Sequence, residues 1–491
     1  MRKLLIITLL LMTLSETRCQ PLPPKKVAQK LFDAYPSYFE PDLDVRRIKQ
    51  RDILPKLQQL KTDSLFQVQV VGKSVQQRDL YLVKAGSGKT KVLLWSQMHG
   101  DESTATRALF DLFNFLKQED ELDPIRKEIL ENTTLYLVPM LNPDGAEVFK
   151  RRNALDIDLN RDALRLQSPE ARLLKSLRDS LKPEFGFNLH DQSRYYSVGT
   201  SSKPATISFL APPYDHAKSV NEVRGKAMRT IVGLNEALQP LLPEQIAKYS
   251  DEHEPRAFGD NIQKWGTSVI LVESGGYQND LEKSHIRRLN FVAITAALHM
   301  IATKGYQDYK VHDYYKVPEN HRYLHDLLIR NVRYRENGRN STIDIGVNRY
   351  EIDADIPQGF YYRSTVEELG DLSVFHGYEE INGQGLTLVP GQVYEEPFPN
   401  LAALTPQRIQ ALLQEGYTTV RMQEVPEGAN PLELPINIVS VTGRVSHHLA
   451  VERMANFVLK DMEGVTRYVI LNGFVYDMRS EEPQTYHGLV L

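Results

Sequence analysis

The feature that most constrains the fold is a regular alternation of apolar strand-like runs and helical segments between Phe66 and about Ala302. This alternation predicts an α/β fold with a mostly parallel mixed sheet flanked by helices. The predicted strands are Phe66–Val71, Leu80–Lys84, Lys91–Gln97, Thr134–Met140, Phe185–His190, Thr206–Leu210 and Thr267–Glu273. The predicted helices are Ser103–Lys117, Glu170–Leu181, His216–Ala237 and Lys283–Ile301.

The first 19 residues have the pattern of a secretory signal peptide. Arg2 and Lys3 precede the apolar run Leu4–Leu14, which is shorter than a membrane-spanning helix. We therefore expect a secreted or periplasmic protein without a membrane span. An uncleaved anchor and a lipid-modified Cys19 are less favoured alternatives. Because Cys19 is the only cysteine, no disulfide framework is expected.

The rest of the chain divides into three predicted parts. Residues 20–65 contain two short amphipathic helices and form a lead-in to the α/β domain, which we place at residues 66–305. Residues 306–491 begin with the linker Tyr306–Tyr323 and are predicted to form a separate β-rich or α+β accessory domain, because short alternating stretches dominate there. The strands expected in it include Ser341–Asn348, Gly385–Val389, Thr418–Gln423, Ile436–Val441 and Tyr468–Val475.

Two helices are expected to interrupt these strands. For the first, Thr405 provides an N-cap, Pro406 occupies the first helical position and Gly416 ends the helix. The second is predicted over His448–Glu463 and ends at Gly464.

Composition excludes several protein classes. Of the 491 residues, 41% are apolar and 25% are charged, as in an ordinary soluble protein, so collagen, coiled coils and multi-span membrane proteins are excluded. The 59 basic and 63 acidic residues leave a net charge of −4, which is too balanced for nucleic-acid binding as the main task. We therefore expect no nucleic-acid partner.

Ionisable residues stand at the carboxyl ends of three predicted core strands. His99 and Glu102 follow the strand that ends at Gln97, while His190 and Glu273 each end a later strand. Ligands of open α/β sheets bind outside the carboxyl ends of the strands, so we expect a cluster there. Two imidazoles, one carboxylate and an open fourth position form the ligand set of a catalytic zinc site. A histidine and glutamate three residues apart also fit a hydrogen-bonded structural pair, so further motifs are needed.

Three such motifs occur between these strands: Asn142-Pro143-Asp144-Gly145, Arg151-Arg152-Asn153-Ala154 and Asp158-Leu159-Asn160-Arg161. Together with His-Gly-Asp-Glu after an apolar strand, a later strand-terminal histidine and Val-Glu-Ser before the last helix, they follow the order found in the zinc metallocarboxypeptidases. The chain resembles this family, the carboxypeptidase A and B relatives, from about Ala28 to Ala302, roughly half its length.

The resemblance implies a metal site and a base. His99, Glu102 and His190 would hold one zinc ion per chain, and Glu273 would act as general base on a water molecule and then protonate the leaving amine. Asp158 would accept a hydrogen bond from His99 and fix the tautomer of its ring.

The resemblance also implies substrate-binding roles. Arg151 would stabilise the oxyanion, and Asn160 and Arg161 would bind the terminal carboxylate of the substrate. The family's loop tyrosine is expected at Tyr249. Asp162 departs from the usual family pattern; next to the clamp, it would weaken carboxylate binding or meet a basic group of an unusual substrate.

These features predict an exported zinc carboxypeptidase that acts on the C-termini of peptides or proteins. One alternative keeps the fold and the zinc ion but acts as an amidase or deacylase on small acyl-amino acids or cell-wall peptides. A second alternative is a non-catalytic peptide-binding protein, and the retention of all three ligands and the base is an argument against it.

Three other signals have simpler interpretations. Gly86–Thr90 resembles a phosphate loop, but an apolar strand follows it, so we interpret it as a turn. His447 lacks a carboxylate partner at metal spacing and is interpreted as a packing or surface residue. Tyr361, Tyr362 and Tyr378 are interpreted as core aromatics, with a sugar- or peptide-binding face as the alternative.

Overall fold

The computed structural model describes residues 22–357, 359–425, 434–480 and 487–491. The predicted signal peptide, including Cys19, lies outside the described residues. In the first region, which we define as residues 24–316, the strands are β1 (Phe66–Lys73), β2 (Asp79–Ala85), β3 (Thr90–Ser96), β4 (Thr133–Val138), β5 (Phe185–Asp191), β6 (Ser197–Val198), β7 (Ile207–Leu210), β8 (Ile246–Lys248) and β9 (Ser268–Ser274). Its helices are α1 (Pro24–Ala34), α2 (Gln50–Thr62), α3 (Thr104–Lys117), α4 (Asp123–Asn132), α5 (Pro143–Glu147), α6 (Pro169–Leu181), α7 (Glu222–Leu238), α8 (Phe258–Lys264) and α9 (Ser284–Ala302).

Eight strands of this region form one mixed sheet in the order β1-β2-β4-β3-β5-β9-β7-β8. The four central strands β4, β3, β5 and β9 run parallel, whereas β1, β2 and β7 join antiparallel. The predicted mostly parallel mixed sheet is therefore confirmed. Because the central strands run in one direction, their carboxyl ends meet at one edge.

Helices cover both faces of this sheet, which explains the nearly continuous apolar sequence of its strands. Val92–Trp95 of β3 is completely buried. The larger hydrophobic core lies on the face covered by α3, α7 and α9 and also includes residues of α1 and α2. The smaller hydrophobic core lies under α6 and α8. Full burial of one such side chain contributes about 1.5–3 kcal/mol, so the sheet is a rigid support for groups at its edge.

The C-terminal region, which we define as residues 320–491, is rich in strands, as predicted. Its strands are β10 (Asn320–His321), β11 (Leu324–Glu336), β12 (Arg339–Asp353), β13 (Phe360–Gly370), β14 (His376–Asn382), β15 (Thr387–Pro390), β16 (Gln392–Phe398), β17 (Tyr417–Met422), β18 (Asn437–Ser440), β19 (Phe457–Lys460), β20 (Thr466–Leu471) and β21 (Phe474–Asp477), and α10 is Pro406–Glu415. Strands β13-β12-β11-β15-β19-β20-β21 form a second sheet, to which β14 adds beside β11. Strands β16, β17 and β18 form a parallel sheet.

Several local sequence predictions in the two regions are confirmed. Helix α10 begins after Thr405, whose side chain accepts a hydrogen bond from Arg408 N, and ends at Gly416 with φ of 104°. Gly86–Thr90 lies in the turn from β2 to β3, as interpreted. His447 is buried and pairs with the Thr419 hydroxyl at 2.7 Å.

Other predictions are wrong. The predicted helix His448–Glu463 is absent, because Phe457–Lys460 is strand β19 and pairs with β15 and β20. The predicted strand Tyr468–Val475 is a hairpin that turns at Asn472 and Gly473, and helix α7 begins six residues later than expected, at Glu222 rather than at His216.

The segment interpreted as a linker, Tyr306–Tyr323, is folded rather than extended. Two 3₁₀ helices occupy Gly305–Asp308 and Val311–Lys316, and Tyr306 and Tyr314 are buried in the larger core of the first region. Strand β10 then pairs with β6 of the first region. Within the described ranges, we find no helix with the length and apolar character required to cross a bilayer.

Candidate metal centre and active site

Three potential metal ligands meet at the carboxyl edge of the first sheet. His99 lies in the turn after β3, Glu102 precedes α3, and His190 is on β5. The Nδ1 atoms of His99 and His190 each lie 2.7 Å from one oxygen of the Glu102 carboxylate. One ligand atom from each residue lies within 4.8 Å of the others, and all three residues are buried.

The backbone of the turn brings these residues into place. Gln97 adopts a left-handed φ of 50°, and its side-chain amide donates to the Gly100 carbonyl at 2.9 Å, which supports the strained turn. A Cβ atom on Gly100 would lie 2.0 Å from the carbonyl carbon of Gly145, so this position requires glycine. The two glycine-containing motifs of the sequence therefore pack backbone to backbone.

Outer hydrogen bonds orient both imidazoles. Asp158 Oδ1 lies 3.1 Å from His99 Nε2, and Asn160 Nδ2 lies 3.5 Å from His190 Nε2. With Nε2 of His99 held by a carboxylate, its Nδ1 is left to face Glu102. A donor set of two such imidazoles and a carboxylate, converging on one point, fits a zinc ion.

The electrostatics of the group agree with a cation site. Burial lowers the pKa of His99, but the Glu102 charge and the Asp158 hydrogen bond outweigh it and raise that pKa to about 9. Burial lowers the pKa of His190 despite the nearby Glu102 charge. Burial raises the pKa of Glu102, yet the two histidines hold it well below its ordinary value, so the carboxylate stays ionised. An ionised carboxylate between two imidazoles attracts positive charge.

Glu273 lies directly beside this group. It is on β9, and its register partner in the adjacent parallel strand is His190. Its side chain is buried, and Glu273 Oε2 has no hydrogen-bond partner among the described residues. Burial, reinforced by the negative charge of Glu102, raises the pKa of Glu273 well above its ordinary value. A carboxyl group with a raised pKa is suited to take and return a proton near neutral pH.

Arg151 lies at the opening of the same group. Its guanidinium is within 3.2 Å of Glu102 Oε1 and 3.0 Å of Asp158 Oδ2, and 42% of its side chain is exposed. The Arg151 carbonyl accepts from the Gly100 amide and from the Asn142 side chain, both at 3.3 Å. The backbone of Arg151 is thus fixed to both glycine motifs, while its guanidinium can face a bound molecule.

The side chains of Asn160 and Arg161 have different partners, although the Arg161 guanidinium donates to the Asn160 carbonyl at 2.8 Å. Asn160 Oδ1 accepts from the Phe258 amide at 2.9 Å, whereas Arg161 Nε lies 3.3 Å from Glu254 Oε2. Arg161 borders a cleft of about 430 Å³ that Asp158 and Arg256 also line. Glu254 was not identified from the sequence, because its proximity to Arg161 depends on a loop fold that local patterns do not encode.

Asp162 has a structural role at the edge of the cleft. Its carboxylate accepts from the Gln167 and Ser168 amides and from the Ser168 hydroxyl, each at 2.8 Å, and so holds the loop before α6. Although the side chain is buried, Asp162 also lines the cleft that Arg161 borders. Its influence on the carboxylate clamp stays a prediction.

Tyr249 follows β8 and is brought near the active-site edge. Its ring centroid is 6.2 Å from that of Tyr196, and its amide donates to the Phe209 carbonyl at 2.9 Å. Burial and the charge of Glu273 raise the pKa of Tyr249, so its hydroxyl stays protonated.

Asp101, next to Glu102, was not singled out from the sequence; burial and the Glu102 charge raise its pKa to about 6.

Comparison with known proteins finds a family match for part of the chain. Residues 53–233 match the zinc carboxypeptidase family model. That range includes His99, Glu102 and His190, whereas Glu273 lies beyond it. Carboxypeptidase SOL1 of Arabidopsis thaliana is 38% identical over 93 residues, or 17% of this chain and 19% of that protein.

Two further proteins are similar over longer stretches. Carboxypeptidase D of Homo sapiens is 27% identical over 159 residues, or 29% of this chain and 10% of that protein. The chain thus covers less than two thirds of the length of either curated relative. A metallo-carboxypeptidase structure from Burkholderia cenocepacia aligns with a TM-score of 0.43 and 18% identity over 55% of this chain and 70% of that chain.

Proposed function

We propose that this chain, whose residues 53–233 match the zinc carboxypeptidase family model, is an exported hydrolase that removes residues from the C-termini of peptides. His99, Glu102 and His190 would hold one zinc ion. The observation that carries the proposal is the convergence of their ligand atoms beside a buried oxygen of Glu273 that has no hydrogen-bond partner in the described part of the chain. Export is inferred from the signal-peptide pattern of the first 19 residues.

Zinc, when bound, would supply Lewis acidity that polarises the scissile carbonyl and lowers the pKa of a water molecule. Glu273 would accept the proton of the attacking water at its free Oε2 atom and deliver it to the nitrogen of the leaving residue. The raised pKa of Glu273 supports both steps, because the group can hold the proton between them. Asp158 would keep the His99 ring in one orientation throughout.

Arg151 would donate hydrogen bonds to the carbonyl oxygen as negative charge develops on it. Its fixed backbone and half-exposed guanidinium support this role. Asn160 and Arg161 would bind the free carboxylate of the substrate, with Arg161 reaching from the cleft beside Asp158. Tyr249, kept protonated, would donate a hydrogen bond to the bound peptide. The carboxylate clamp formed by Asn160 and Arg161 would restrict cleavage to the last peptide bond.

The test compares one peptide with a free and with an amidated C-terminus, using the zinc-loaded chain. We expect the free peptide to be hydrolysed about 100-fold faster in kcat/KM than the amidated one, because the amide forfeits a charge-assisted contact with Arg161. Arg161→Ala should raise KM for the free peptide by about 10–100-fold and leave the amidated peptide unchanged.

Arg256→Ala is the matched control, since Arg256 lines the same cleft but pairs with Glu254 on the outside. It should change KM by less than about threefold. Equal loss of activity on both peptides in Arg161→Ala would instead favour an amidase or deacylase. Absence of hydrolysis on both, in a chain that contains zinc, would contradict the proposal.

A further inference from the structure

A cavity of about 390 Å³ lies between the first region and the C-terminal region. It opens beside the loops that follow β5 and β9, the two strands that carry His190 and Glu273. Both regions contribute to its walls, which include Arg194, Gln278, Arg349, Tyr362, Tyr378 and Phe474. Its volume falls within the range of about 300–1,000 Å³ that is usual for ligand sites.

The position of the cavity fits the upstream part of a peptide substrate. Arg194 lies four residues beyond His190, and Gln278 lies five beyond Glu273. At about 3.3–3.6 Å per residue, Gln278 is therefore within about 18 Å of Glu273, the span of about five extended peptide residues. Arg161 lies elsewhere, next to Glu254. A peptide whose carboxylate is bound at Arg161 and whose scissile bond lies beside Glu273 would leave its upstream residues free to reach the cavity.

The wall of the cavity at the β5 loop is held in place by buried contacts. Arg194 lies 3.3 Å from Asp326 and 4.5 Å above the ring of Tyr378. The Tyr378 hydroxyl donates to the Arg194 carbonyl, and the Tyr195 hydroxyl donates to Asp326, both at 2.7 Å. Asp326 is 1% exposed; its Oδ1 atom faces the Arg194 guanidinium and its Oδ2 atom accepts from Tyr195. These contacts preform the site before a ligand arrives.

The charges of the cavity cancel, which indicates a neutral ligand. Arg349 lies 3.1 Å from Glu379 and 4.1 Å above the Phe474 ring, in the same way as Arg194 pairs with Asp326. Two arginines and two carboxylates leave no net charge. Gln278, Asn279 and Leu281 add two amides and one apolar side chain to the wall, and the Tyr362 ring offers an aromatic surface against which a planar side chain packs well.

We propose that this cavity binds an aromatic side chain of the substrate, located within five residues upstream of the scissile bond. The inference rests on the proposed carboxypeptidase function and makes the C-terminal region part of the substrate site. Tyr362 on β13 is its most direct probe, because it lines the cavity. Its neighbour Tyr361 points to the opposite face of the same strand and serves as the control.

The experiment uses the full chain with zinc and a set of peptides that carry one Phe or one Ala at each of the five upstream positions. At one position, Phe should raise kcat/KM about tenfold over Ala. Tyr362→Ala should reduce this ratio to below about twofold, whereas Tyr362→Phe and Tyr361→Ala should retain it. Thermal melting by circular dichroism within about 3 °C of the wild type would show that Tyr362→Ala folds.

Binding of the same peptides, followed by fluorescence anisotropy on the zinc-free chain, separates this inference from the proposed function. About fivefold tighter binding of the Phe peptide, lost in Tyr362→Ala, would support the subsite even if no peptide is hydrolysed. Hydrolysis that does not depend on the upstream residue, or equal binding of Phe and Ala peptides, would overturn the subsite and leave the carboxypeptidase proposal intact.

Discussion

The first region and the C-terminal region use their ionisable residues differently. In the first region, His99, Glu102 and His190 come from separate stretches of chain, yet their ligand atoms meet within 4.8 Å. In the part of the C-terminal region that the structure describes, no such group occurs. Its charged residues form pairs instead, several of them with the first region, such as Asp326 with Arg194 and Glu351 with Arg47.

Strand direction explains this difference. The parallel strands β3, β5 and β9 end at the same edge of their sheet, so the residues after them are brought together. Most strands of the C-terminal sheet are antiparallel, so their ends alternate between two edges. The hairpin of β12 and β13 therefore offers pairing and surface contacts along its length rather than a point of convergence. The first region therefore brings ionisable residues to one point, whereas the C-terminal region offers paired charges and contact surfaces.

Glu273→Gln tests whether the ionisable residues that converge in the first region are catalytic, and it should have the largest effect. The glutamine cannot accept a proton, so we expect kcat/KM on a free peptide to fall by about 10³–10⁴. Zinc content should not change, because Glu273 is not among the three ligands. Glu184→Gln is the control: this exposed carboxylate pairs with Lys226 and should retain activity within about twofold. Wild-type rates in Glu273→Gln would remove the assigned base.

Arg151→Met tests whether the arginine at the opening acts on the reacting carbonyl. Loss of its hydrogen bonds to the developing negative charge should lower kcat by about 10²–10³ with little change in KM. Arg152→Met is the matched control, because its guanidinium donates to the Asp156 carbonyl at 2.8 Å and contacts none of the three ligands. If both substitutions lower kcat equally, the effect comes from the loop rather than from Arg151.

Acidification tests the C-terminal region, in which a buried ionisable residue affects stability and not catalysis. Its effect should be the smallest of those predicted. Burial lowers the pKa of His447 in the C-terminal region from 6.5 to about 4. As the pH falls, the unfolded state takes up this proton first. The full contribution to the free energy of unfolding is therefore present above about pH 6.5, and about 3 kcal/mol of it is lost as the pH drops to about 4. His447→Gln should lose this pH dependence, while His448→Gln, at an exposed neighbour, should retain it.

Urea unfolding at pH 7.5 and 4.5 measures the acid effect, and two optical probes locate it. The only two tryptophans, Trp95 and Trp265, lie in the first region, so their fluorescence reports that region. Far-UV circular dichroism reports both regions. Acid destabilisation of wild type that persists unchanged in His447→Gln would assign the effect to other groups.

The sequence predicts the first region well because its signals are local. Buried parallel strands are continuous apolar runs, and the ionisable residues stand at the carboxyl ends of β5 and β9 and directly after β3. Helix α10 forms as predicted for the same reason, since the Thr405 side chain caps its start and the Gly416 backbone caps its end.

Errors occur where a distant partner decides the structure. Phe457–Lys460 has apolar residues at helical spacing with its neighbours, but β15 and β20 recruit it into a sheet. Tyr361, Tyr362 and Tyr378 were interpreted as core aromatics; they are half-buried, and Tyr362 and Tyr378 line a cavity between the two regions. The position of Tyr362 and Tyr378 at this cavity depends on how the C-terminal region packs against the first region, and local sequence patterns do not encode that packing.

Zinc content is the most direct test of the central claim, that His99, Glu102 and His190 form one metal site. Elemental analysis of the purified, dialysed chain should give about one zinc ion per chain for wild type and below about 0.2 for His190→Ala. His376→Ala, at a half-buried histidine that contacts the Thr200 carbonyl, should retain zinc. Less than about 0.2 zinc per wild-type chain, even after incubation with added zinc, would contradict the account.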